Sequence, residues 1–97
     1  MISVIIPSYR NPKYLDFCIK ALLDNQVEKN EIIVVIDGFI SESQVTIDKY
    51  KNIVYFVLQE NNTELPTAIN NGVYNASNEN ILILNEDNIV GPNWDLK

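Results

Sequence analysis

The sequence contains no histidine, and so offers no imidazole for a zinc site or for a serine–histidine or cysteine–histidine nucleophile. It has one cysteine, Cys18, which rules out an internal disulfide. Positive charge is scarce: seven Lys and Arg stand against thirteen Asp and Glu, for a net charge of −6. That balance argues against a nucleic-acid backbone or an anionic membrane as the main partner. It leaves room for an anionic small molecule if a cation or backbone amides mediate the contact. No apolar run approaches the roughly 18 residues of a membrane span. There is no signal-peptide pattern, and Met1 leads straight into a strand-like segment, so a cytoplasmic location is expected. Repeats, linkers and low-complexity tracts are missing as well.

What is present is the material of one small domain, 1–97. A domain of this size buries only about two-thirds of its unfolded surface. Four short apolar runs stand out: Ile2 to Ile6, Ile32 to Ile36, Ile53 to Leu58 and Ile81 to Leu84. They are nearly continuous and rich in β-branched residues, as strands buried on both faces are. The segments between them read as helices. Asn11 is a plausible N-cap before Pro12, and Leu15, Cys18, Ile19 and Leu22 then form one stripe. Ser41 or Ser43 would cap a shorter helix that buries Ile47 and Tyr50. The third helix starts near Pro66, with Thr63 or Glu64 just upstream. Its apolar face would hold Leu65, Ala68, Ile69, Gly72, Val73 and Ala76.

Strands and helices alternating in this way, joined by right-handed crossovers, predict an α/β fold with a Rossmann-like, doubly wound parallel sheet. The natural strand order is 3-2-1-4, with helices one and two on one face and helix three on the other. Strand four is then an open edge. Exposed edges tend to be covered, so a homo-oligomer is expected.

In such a sheet, ligands bind outside the carboxyl ends of the strands. Pro7, Ser8, Tyr9, Arg10 and Asn11 follow strand one, and Asp37 and Gly38 follow strand two. Gln59, Glu60, Asn61 and Asn62 follow strand three. After strand four the chain reads "ILILNEDNIVGPNW", which sets Asn85, Glu86, Asp87 and Asn88 at the mouth of the sheet. Carboxylates there repel a phosphate unless a hard divalent cation, Mg²⁺ or Mn²⁺, takes oxygen from both sides. The plainer reading of Asn85–Asp87 is a solvated turn, which Asn and Asp favour. Asp37 and Gly38 suit a turn as well as they suit a ligand contact. Tyr9 suits stacking on a base or simple packing, and Arg10 a phosphate or, more commonly, a surface charge. Cys18 belongs to the core stripe. Trp94, after Pro92, reads as an anchor for the tail, and Asn70 as a residue that ties loops together.

Four segments in order resemble the N-terminal half of family 2 glycosyltransferases of the GT-A fold. "ISVIIPSYRNPKYLDFCIKALLDNQ" resembles the first strand, nucleotide loop and helix. "EIIVVIDG" resembles the second strand and its Asp-Asp-Gly-Ser motif. "ENNTELPTAINNGVYNAS" resembles a third motif, and "ILILNEDNIVGPNW" the strand carrying Asp-x-Asp. The resemblance implies a minimal, truncated GT-A unit that binds a nucleotide sugar, foremost a UDP-sugar. Pro7, Ser8 and Tyr9 would line the base and ribose pocket, with Arg10 and Gly38 in the same loops. Asp37 would accept from the uracil ring. Asn85 and Glu86 would stand on the nucleotide, and Asp87 on a divalent metal, Mn²⁺ or Mg²⁺. The reaction implied is transfer of the sugar to an unidentified acceptor, or hydrolysis. A catalytic base is not identified; Glu60, Glu64 and Glu86 are the carboxylates near the crevice. Several positions depart from the family's pattern: Asn85 replaces an aspartate, Phe39 a serine and Ile69 an arginine. The acceptor-binding half has no counterpart in these residues. The competing expectations are a non-catalytic nucleotide-sugar-binding module and an interaction domain that keeps only the fold.

Overall fold

A computed structural model describes residues 1–59 and 65–95. The order is β1 (Ser3–Ser8), α1 (Pro12–Asn25), β2 (Glu31–Asp37), a 3₁₀ turn (Ile40–Ser43), α2 (Gln44–Tyr50), β3 (Tyr55–Gln59), α3 (Leu65–Tyr74) and β4 (Ile81–Ile83). The four strands form one parallel sheet in the order β3-β2-β1-β4, as the alternating pattern requires.

The pleat sorts the β-branched runs to two faces. Val4 and Ile6 of β1 and Ile32, Val34 and Ile36 of β2 pack with Leu15, Cys18, Ile19 and Leu22 of α1 and Ile47 and Tyr50 of α2. Each fully buried aliphatic side chain there contributes about 2 kcal/mol. The Tyr50 hydroxyl donates to Asp16 at 2.6 Å and ties α2 to α1. Burial and that carboxylate together push the Tyr50 phenol up to about 12. Ile5 and Val35 point to the opposite face, where α3 lies against β1 and β2 with Gly72 at the point of closest approach.

Several local expectations change. Asn11 sits at the N-cap position of α1 but makes no side-chain cap; its backbone carbonyl accepts from Leu15 instead. Ser43 likewise precedes α2 without a side-chain cap, and Ser41 lies within the 3₁₀ turn that leads into the helix. Strand three starts at Tyr55, not Ile53. The amides of Ile53 and Val54 are drawn back to the Tyr50 carbonyl at the end of α2. Strand four ends at Ile83, although the Leu84 amide still donates to Ile5. Strands one and two run on through Ser8 and Asp37, two residues and one residue beyond the apolar runs. Helix α3 buries only Ala68 and Gly72 of its predicted stripe, and Leu65 and Val73 are exposed. The proposed caps Thr63 and Glu64 lie outside the described residues.

Beyond β4 the chain returns across α1. Trp94 Nε1 donates to the Leu22 carbonyl at 2.9 Å, and the Asn93 amide to the Asn25 carbonyl at 2.8 Å. These bonds satisfy carbonyls that the end of a helix leaves unpaired. Trp94 is therefore the anchor its position suggested.

Candidate functional site

The carboxyl ends of β1, β2 and β4 open onto a cleft of about 460 Å³. Pro7, Ser8, Tyr9, Asp37, Asn85, Glu86 and Asp87 all line it. Seven of the nine residues singled out from the sequence thus meet in one place. The other two, Arg10 and Gly38, do not line the cleft. Gly38 is buried with φ 78° and sends its amide to the Gln59 carbonyl at 2.7 Å. Its left-handed backbone is one that glycine adopts without penalty. The Arg10 side chain turns outward to Glu42 and Phe39.

Asp37 is 6% exposed and accepts from Gln59 Nε2 at 3.1 Å. Asn71 Nδ2 in turn donates to Gln59 Oε1, so a chain of amides from α3 through β3 orients this carboxylate. Asp87, by contrast, is exposed. Glu86 Oε1 accepts the Tyr9 amide at 3.3 Å and Asn11 Nδ2 at 3.0 Å, binding the loop after β1 to the loop after β4. Cys18 lies beneath these loops, with its sulfur 4.0 Å from the Asn85 carbonyl. Burial, with Glu86 and Asp87 adding repulsion, pushes the Cys18 thiol up to about 12. It is therefore uncharged and belongs to the core, not to nucleophilic chemistry.

Sequence reasoning gave no place in the cleft to Tyr14, Leu65 and Ala68, which also line it. Tyr14 was legible in principle. It lies in the first turn of α1, directly after the loop that follows β1, and off the apolar stripe. The role of the Asn11 side chain as a bridge to Glu86 has no short-range signal, because its partner lies 75 residues away.

The model of the family described as Glycosyl transferase family 2 matches residues 3–97. The chain belongs to glycosyl transferase family 2. Glycosyltransferase GlyG of Streptococcus pneumoniae serotype 4 is 35% identical over 96 residues, which cover 96% of this chain and 32% of the relative. An uncharacterized glycosyltransferase of Rickettsia prowazekii is 29% identical over 93 residues, 96% of this chain and 29% of its own. The family 2 chain thus spans about a third of the length of these curated relatives. Among solved structures, S. aureus TarS 1-349 in complex with UDP superposes with a TM-score of 0.84 at 25% identity, over 95% of this chain and 29% of TarS. Mannosyltransferase PcManGT from Pyrobaculum calidifontis, in complex with GDP-Man and Mn2+, superposes with a TM-score of 0.76 at 18% identity, over 91% of this chain and 28% of that one. The latter likeness speaks for the fold alone.

Two observations bear on whether this family 2 cleft suits a polar ligand and a cation. Ser8 Oγ and Glu86 Oε2 are buried and have no hydrogen-bond partner among the described residues. Such orphaned atoms are costly unless something supplies the missing bond. The donor set at the end of β4 consists of oxygens only: the Asn85 amide and the Glu86 and Asp87 carboxylates. No group of three or more His, Cys, Asp or Glu that could hold a metal occurs among the described residues. Mg²⁺ and Mn²⁺ do not need one, because hard cations bind through one or two carboxylates completed by phosphate oxygens and water. The residues present fit a cation that arrives with a diphosphate.

Proposed function

We propose that this family 2 domain binds a nucleoside diphosphate sugar, a UDP-sugar foremost, across the cleft. With a divalent cation, Mn²⁺ or Mg²⁺, it would pass the sugar to an acceptor or to water. The observation that carries this reading is the convergence of seven predicted residues on one cleft, two of them with an unpartnered buried oxygen. The complex of the related TarS with UDP supports it, and PcManGT, which shares the fold, is in complex with GDP-Man and Mn2+.

In this reading Pro7, Ser8 and Tyr9 flank the base and ribose, and Ser8 Oγ gains a partner from the ligand. Asp37, aimed by Gln59, accepts the ring N–H of uracil. Asn85 and the second oxygen of Glu86 accept from ribose hydroxyls. Asp87 holds the cation. When bound, the cation would neutralise the diphosphate and stabilise the departing nucleoside diphosphate. The unit 1–97 would act as the nucleotide-sugar-binding part of the reaction. The open edge of β4, with Ile81 and Ile83 exposed beside it, would serve as a surface for self-association.

One observation favours a second reading, binding without transfer. Glu86 Oε1 is already engaged by Tyr9 and Asn11, and its other oxygen is buried and given to the ribose in the first reading, which leaves it no role as the base. The other carboxylates considered for that role, Glu60 and Glu64, lie outside the described residues. Mn²⁺-dependent release of UDP from a UDP-sugar would distinguish transfer or hydrolysis from mere binding.

Thermal unfolding with a panel of nucleoside diphosphates and nucleotide sugars, with and without Mn²⁺, tests the site itself. A ligand at 100 times its dissociation constant stabilises the native state by about 2.7 kcal/mol. The expected result is a rise in melting temperature that needs both UDP and Mn²⁺, and that Asp87→Ala abolishes. No rise with any ligand at millimolar concentration would overturn the proposal.

A further inference from the structure

The loop after β1 is held from two sides. Glu86 grips it from β4, as described. From the side of β2, Arg10 forks onto Glu42, with Nε to Oε2 at 3.0 Å and Nη2 to Oε1 at 3.3 Å. The same guanidinium lies over the Phe39 ring, 4.2 Å from its centroid. Phe39 meets Tyr9 edge to face, with centroids 5.7 Å apart and planes at 77°. The backbone at this contact is unusual. Arg10 has φ 55° and Phe39 φ 49°, both in the left-handed region that residues other than glycine seldom occupy. Such conformations persist where the surrounding contacts over-determine them. Of these residues only Tyr9 lines the cleft; Arg10, Phe39 and Glu42 stand behind it.

We infer that Arg10, Phe39 and Glu42 form a clamp that acts through Tyr9, fixing the aromatic wall of the cleft against which a planar heteroaromatic ring lies. Arg10 is then a positioning residue and not a phosphate ligand. This rests on the nucleotide reading of the cleft. The physical argument is one of pre-organisation. Tyr9 is 43% exposed, and an exposed ring on a free loop samples several rotamers. The edge of Phe39 restricts that freedom. Arg10 in turn fixes Phe39 by stacking on it while the fork to Glu42 holds the guanidinium plane. Glu42 also cancels the charge of Arg10, so the pair adds no attraction for a diphosphate. To reach a phosphate, Arg10 would have to give up both bonds of the fork and the stack.

The test compares uridine and UDP, the latter with Mn²⁺, by NMR chemical-shift titration. The proteins are wild type, Arg10→Lys, Glu42→Gln, Phe39→Leu and Phe39→Tyr. Lysine keeps the charge but loses the planar fork and stack. The clamp predicts that Arg10→Lys, Glu42→Gln and Phe39→Leu each weaken uridine and UDP by the same ratio, roughly two- to five-fold. Phe39→Tyr should restore wild-type affinity, and melting temperatures should stay close to wild type because every residue of the clamp is exposed. If Glu42→Gln tightens UDP and leaves uridine unchanged, Arg10 is a phosphate ligand and the clamp is wrong. Unchanged affinities in all variants, with wild type binding UDP, remove the clamp and leave the cleft reading intact. Failure of wild type to bind either probe removes both.

Discussion

Gly72 marks the place where a single missing carbon decides how closely α3 can approach the sheet. A Cβ there would overlap Ile5 Cγ2 and come within 3.2 Å of Val35 Cγ2. Ile5 is fully buried and β-branched, so it has little room to turn away. Overpacking a core contact costs about 1–3 kcal/mol, while replacing glycine by alanine within a helix recovers at most about 1 kcal/mol. Gly72→Ala is therefore expected to lower stability by about 1–2 kcal/mol, read as a lower urea midpoint. A midpoint at or above wild type would show that α3 moves freely. The same change should disturb the cleft, because α3 carries Leu65 and Ala68 into its wall. Residue-scale logic of this kind was partly visible in the sequence. Gly72 fell on the predicted apolar face of α3, but nothing local said that Leu65 and Val73 would stay in solvent.

At the scale of elements, the returning tail behaves as a strap. Asp95 accepts the amides of Val27 at 2.6 Å and Glu28 at 3.0 Å, and Asn30 Nδ2 at 2.8 Å. Desolvation alone would raise its pKa, but the Glu28 and Val27 amides and the Asn30 side chain outweigh it and hold the carboxyl at about 2, down from 3.8. The folded state thus binds this proton less readily than the unfolded chain. The stabilisation is complete above the unfolded value and is lost as pH falls from about 4 towards 2. Asp95→Asn should flatten stability across that acid window, and should speed hydrogen exchange at the Val27 and Glu28 amides at neutral pH. An unaltered acid limb would mean that the strap adds nothing. The strands were legible because the β-branched runs are nearly continuous and alternate with helical stretches, as in a parallel sheet. The caps and the strap were not, because they pair residues far apart in sequence: Asn11 with Glu86, Asn25 with Val90 and Asp95 with Val27. The polar loops after β1, β2 and β4 were legible as a group, since they follow from strand order, while Glu60, Asn61 and Asn62 after strand three lie outside the described residues. The outward turn of Arg10 depends on Glu42 and Phe39 in the next loop but one, and neither carries a pattern that points back to it.

For the molecule as a whole, β4 stands at one edge of the sheet among the described residues, beside β1. β4 is only three residues long, and Ile81 and Ile83 are 37% and 47% exposed. Short edges limit runaway pairing but still offer unpaired backbone groups. Self-association through this edge predicts a mass above 11.1 kDa by size-exclusion chromatography with light scattering, and a lysine at Ile83 should return it to that value. A monomer at all micromolar concentrations would count against the edge as an interface. At the far end of the sheet, Glu28 receives both ends of the described chain. Its carboxylate pairs with the Met1 ammonium at 2.5 Å, and its amide donates to Asp95 at 3.0 Å. The cleft lies at the opposite pole. A surface tether attached at the exposed Glu28 side chain would therefore leave the ligand mouth open to solution.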